Sequence, residues 1–60
     1  MELIDVWNIT HNCQPVLINA DGNRIFDGLM GDVPMKFMNC KVIWITSVDD
    51  VLIINVWGDN

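Results

Sequence analysis

Short runs rich in β-branched and aromatic residues, separated by turn-forming residues, give this chain the pattern of β-strands, and its apolar positions do not recur at three-and-four spacing for even two turns of helix. In the opening segment Leu3, Asp5, Trp7 and Ile9 would share one face of a strand, with Glu2, Ile4, Val6 and Asn8 on the other. Thr10-His11-Asn12-Cys13 then breaks the pattern with small polar side chains that bond readily to their own backbone, as loops require. Residues 15–20 resume extended structure, with Pro15 at the first position, where a missing N–H harms a ladder least. They run directly into Asp21-Gly22. An Asp-Gly pair between apolar runs marks a hairpin, because both central positions of the favoured turn need positive φ. Residues 16–20 should therefore pair antiparallel with residues 24–29, with Asn23 placed to lengthen the loop or create a small bulge.

Gly28, Gly31 and Pro34 interrupt the middle of the chain, and Val33, preceding a proline, should be extended. Residues 34–39 can hold at most one short helical turn opened by Pro34, with Met35, Phe37 and Met38 plugging an open end of the sheet. Residues 41–46 and 51–57 form a second hairpin around Ser47-Val48-Asp49-Asp50. The expected fold is all-β: one domain over residues 1–60, a five-stranded antiparallel meander curling into a small SH3-like barrel.

Composition adds one feature to this picture. The chain is 52% apolar and only 18% charged, against typical values of about 45–50% and about 25%, and the excess gathers in the final hairpin. That hairpin is apolar on both alternating faces, and a domain of this size buries only about 60% of the surface its unfolded chain exposes. A partner subunit is the expected remedy. The residues expected at such an interface are Trp7, Ile43, Trp44, Ile45, Ile54 and Trp57, since tryptophan is too bulky for a tiny core to absorb easily and is enriched at interface centres. A homodimer is the favoured assembly, with any heterologous partner unspecified.

Eight carboxylates against three basic residues give a net charge of −5, which disfavours direct contact with nucleic-acid phosphates and with anionic membrane surfaces. The acids are dispersed, as a solvated surface requires. They also admit an alternative reading: an acidic accessory or inhibitor protein of a phage or mobile element, set against a basic surface on a host protein. Residues 1–5 lack the basic start and apolar core of a secretion signal, and no apolar run approaches the roughly 18 residues that span a bilayer, so a cytoplasmic location with reduced Cys13 and Cys40 is expected.

Candidate chemistry is thin. His11 and Cys13, with Cys40, offer three zinc ligands where a structural site takes four at short spacings, so no metal is expected. Cys13 with His11 as base, oriented by Asn12 or Asp27, would need a substrate cavity that a barrel of this size fills with its own core. The Asn19-Ala20-Asp21-Gly22-Asn23 run resembles the start of a calcium loop, but its sixth and twelfth positions, Arg24 and Met30, are wrong for one. Asp49-Asp50 reads as a hydrated turn whose charge discourages edge-to-edge aggregation. No catalytic residue and no cofactor are expected; the chain reads as a non-enzymatic binding module.

Overall fold

The computed structural model describes residues 1–58. A short helix α1 (Leu3–Asn8) is followed by strands β1 (Pro15–Ala20) and β2 (Asn23–Leu29), two 3₁₀ turns (Met30–Asp32 and Met35–Phe37), and strands β3 (Val42–Val48) and β4 (Val51–Val56). The strands form one sheet in the order β2-β1-β4-β3. Both hairpins are present and antiparallel, and they meet through a parallel pairing of β1 with β4, Ile18 opposite Ile54.

The protein is mostly β, as its sequence pattern implies, but among the described residues it has four strands and the sheet is open rather than a closed barrel. The physical reason lies at the N-terminus. As a strand, the opening segment would place Asp5 on the same face as Leu3, Trp7 and Ile9; as a helix it turns Asp5, Asn8 and Ile9 to solvent and buries Leu3 and Val6. The Asp5 carboxylate accepts a hydrogen bond from the Glu2 N–H at 3.0 Å, which is the return half of a capping box. The first helical N–H groups, which have no partner inside a helix, are taken by the chain ahead: Leu3 donates to the Cys40 carbonyl at 2.9 Å and Ile4 to that of Met38 at 3.0 Å. What remains of a fifth strand is one bridge, Glu2 opposite Lys41.

Because β1 and β4 are parallel, the chain must cross the sheet between β2 at one edge and β3 at the other. Residues 30–41 make that crossing over one face. Met30, Val33 and Met38 from this segment, with Leu3 and Val6 from α1, bury Val16, Ile18, Ala20, Ile54 and Val56 of the central strands. The plug is thus partly other than the sequence implies, since Phe37 is only half-buried and Met35 stands in solvent. The crossing is tied down by Met30 N–H to Gln14 O at 2.8 Å and Gly31 N–H to Asn12 O at 2.9 Å.

Both turns are two residues long with left-handed backbone: Asp21 (φ 54) with Gly22 (φ 84), and Asp49 (φ 52) with Asp50 (φ 68). The first fulfils the Asp-Gly signal, with Ala20 opposite Asn23 and the register shift further along, between Ile18 and Asn19. The second is tighter than the four-residue connection the sequence suggests, so Ser47 and Val48 extend β3. Left-handed conformation disfavours residues with a Cβ, and aspartate tolerates it better than most. Asp50→Gly should raise the urea midpoint at fixed protein concentration by the equivalent of a few tenths to about 1 kcal/mol, and Gly22→Ala should lower it by about 1 kcal/mol or more.

Candidate functional site

The two edges of the sheet are built differently. β2 carries Arg24 and Asp27, ion-paired at 3.6 Å, together with Gly28; charges and irregularity of this kind blunt an edge. β3 contains no charged residue, no proline and no glycine. It is also bare on both faces. Trp44 and Val48 project from the uncovered face of the sheet and are 54% and 53% exposed. Ile45 shares the covered face with its buried partner Ile54 and is still 38% exposed, because β3 is the outermost strand on that side. Ile43 is the extra residue where the register steps from Val42 opposite Val56 to Trp44 opposite Asn55, and it too is exposed. Trp57, just beyond β4, is 57% exposed.

Hydrogen-bond direction along β3 follows from its turn. In a two-residue hairpin with both turn residues at positive φ, the flanking pair, here Val48 and Val51, exchanges hydrogen bonds, and the pattern then alternates. Thr46 therefore faces Ile53 through hydrogen bonds, while Ser47 and Ile45 turn their N–H and C=O groups away from β4, toward the open edge. Beyond the bulge the same logic places Val42 outward. Its N–H indeed donates to the Met1 carbonyl at 2.8 Å, while Lys41 faces inward to accept from the Trp57 N–H at 2.9 Å. Met1 and Glu2 thus close the edge at Val42, where Lys41 and Glu2 also pair at 3.3 Å. Among the described residues, the stretch with no partner on that edge runs over residues 43–48.

Of the six residues expected at an interface, Ile43, Trp44, Ile45 and Trp57 lie together on or beside this edge. Trp7 and Ile54 do not. Trp7 sits half-buried on α1 against the core, its indole Nε1 closed off without an acceptor among the described residues. Ile54 has no exposed surface and serves the core, because β4 is a central strand and its even-numbered positions face α1 and the crossing segment. Two residues absent from that set belong with it. Thr46 and Val48 follow Trp44 at every second position, a signal visible in the sequence once the strand is known to extend to Val48.

Toward its centre the uncovered face mixes apolar and polar residues. Leu17, Ile53 and Thr46 form one row across it, and Asn19, Asn55 and Trp44 the next. The Asn55 amide nitrogen is enclosed and has no acceptor among the described residues.

His11 and Cys13 meet Ser47 and Asp50 in a shallow cleft of about 460 Å³, whose wall is held by Gln14 Nε2 donating to the Asp50 carbonyl at 2.7 Å. Cys40 is not there; it packs beside the core under α1, and Asp27 lies on the far edge strand. Among the described residues no three His, Cys, Asp or Glu side chains gather where they could hold a metal ion. Nor, among those residues, is any helix long and apolar enough to cross a membrane. In comparisons with known proteins, the chain matches no family model, no curated sequence and no solved structure.

Both thiols are free, Cys13 exposed and Cys40 partly covered. Titration with an aromatic disulfide should therefore show one fast and one slow thiol, with Cys13→Ser abolishing only the fast phase and leaving the circular dichroism spectrum unchanged. Loss of fold in that variant, or metal co-purifying in elemental analysis, would give the cleft a larger role than its geometry supports.

Proposed function

We propose that the chain is a small non-enzymatic protein-binding module that associates with itself, most simply as a homodimer, through β3 and the adjoining Trp57. The observation that carries this reading is a single strand left apolar on both faces and uncharged along its edge, in a protein whose opposite edge is charged. Association through Ile43, Trp44, Ile45, Val48 and Trp57 removes large apolar side chains from water at about 25 cal/mol per Å². A standard interface of about 800 Å² per partner would occupy about one-fifth of the 3948 Å² surface of the chain, so folding and association would be thermodynamically linked.

Light scattering coupled to size exclusion tests the reading. The parent should run as a dimer at micromolar concentration. Trp44→Lys and Ile43→Lys should shift it to monomer with the β spectrum retained, whereas Ile54→Lys, placing a charge in the core, should unfold it. A parent that is monomeric and as stable as its Trp44→Lys variant would end the proposal. Salt adds a second criterion. Association through an uncharged strand should persist or strengthen toward 1 M salt, while acidic side chains meeting a basic partner would be screened within a Debye length of about 8 Å at physiological ionic strength.

A further inference from the structure

The free edge of β3 is self-complementary in one antiparallel register, and we propose that two copies of the chain join there, edge to edge, about a twofold axis at Thr46. This inference rests on the self-association reading and specifies the contact. A second copy supplies the partner strand, and the two sheets become one continuous sheet with β2 at both outer ends.

The register follows from which backbone groups are unpaired. Ile45 and Ser47 point their N–H and C=O groups outward, and an antiparallel pair exchanges hydrogen bonds only between residues that both point outward. With the axis at Thr46, Ile45 of one copy lies opposite the partner's Ser47 and Ser47 opposite the partner's Ile45, so every outward group of those residues is satisfied. Centring on Ile45 would drive the strand residue Val48, with the whole turn beyond it, past Val42, where Met1 and Glu2 already lie, whereas centring on Thr46 brings only the end of the partner's turn, at Asp50, up to Val42. Centring on Ser47 would set Ile45 against the partner's turn and leave its groups unpaired.

Side chains agree with the same register. On the uncovered face, Trp44 meets the partner's Val48 on either side of a central Thr46 pair, so the exposed apolar residues of each copy cover those of the other. Opposed threonines are favourable cross-strand neighbours. Charge agrees as well. The antiparallel arrangement sends the two Asp49-Asp50 turns to opposite ends of the β3 pair, about 23 Å apart at about 3.3 Å per residue, well beyond the Debye length of about 8 Å. A parallel arrangement would place them side by side. The assembly also closes, because the edges it leaves outermost are the charged β2 strands.

Cysteine placement tests the axis. In a Cys13→Ser, Cys40→Ala background, Thr46→Cys puts two thiols across a non-hydrogen-bonded pair, with Cα atoms about 4.5 Å apart, inside the range a disulfide spans. Mild oxidation should convert that chain predominantly to a covalent dimer. Val48→Cys, also exposed but off the axis, should remain predominantly free thiol. In the unmodified chain, the amides of Ile45 and Ser47 should exchange with deuterium more slowly as protein concentration rises, which checks the contact even if the cysteine background folds poorly. A parent that scatters as a dimer while those two amides exchange freely, or while Val48→Cys crosslinks as well as Thr46→Cys, would overturn the edge contact and leave self-association standing. A parent monomeric at every concentration would overturn both.

Discussion

The parallel pairing of β1 with β4 is the constraint from which the rest of the architecture follows. Two antiparallel hairpins could have stacked face to face or continued as a meander; joined in parallel through β1 and β4, they compel residues 30–41 to travel from one edge of the sheet to the other. The crossing segment cannot make that journey without covering a face, and α1, hydrogen-bonded to it through Leu3 and Ile4, is carried onto the same side. The core is therefore one-sided. Its buried members come from the central strands and from the cover, while β2 and β3 contribute edges.

One-sided burial explains why so apolar a strand as β3 stays in contact with water. A crossing segment of this length covers the middle of the sheet, where Ile18, Ile54 and Val56 lie, and leaves the outermost strand overhanging. The other edge has the same geometry and a different sequence: Arg24 and Asp27 give water a reason to remain there, and an exposed ion pair of that kind adds little to stability. The two edges thus differ in chemistry where they are alike in position, and it is on that difference, rather than on general hydrophobicity of the chain, that the proposed association at β3 rests.

Features that depend on neighbours along the chain are legible in the amino-acid sequence. The Asp21-Gly22 turn reads directly, because left-handed backbone restricts residue choice. The Ile43, Trp44, Ile45 and Trp57 cluster also reads, because a strand apolar at consecutive positions shows an apolar side whichever face is covered. Features set by distant contacts are not legible. Leu3, Val6 and Trp7 lie on one helix stripe, but a stripe of so few residues does not by itself outweigh a strand reading, and the decision rests on the Cys40 and Met38 carbonyls that receive the helix, far along the chain. The parallel β1–β4 contact has no local signature at all, so openness of the sheet and the burial of Ile54 lie beyond sequence reasoning. The full reach of β3 is hidden for a more local reason. Asp49-Asp50 lacks the glycine that normally announces a two-residue turn, which conceals Ser47 and Val48 as strand residues.

The charge distribution gives the small size of the protein a further meaning. A chain with eight carboxylates repels copies of itself, and that repulsion opposes disordered clustering of its apolar strand more than it opposes one ordered contact. The strand bears no charge, its acidic turn lies at one end, and Glu2 at the other end is paired with Lys41. Two copies that approach with their strands antiparallel keep the acidic turns apart, whereas a parallel approach brings them together. In the proposed dimer the carboxylates would thus discriminate between a parallel and an antiparallel pairing of β3, and the antiparallel one is also the one in which the backbone groups of Ile45 and Ser47 would be satisfied.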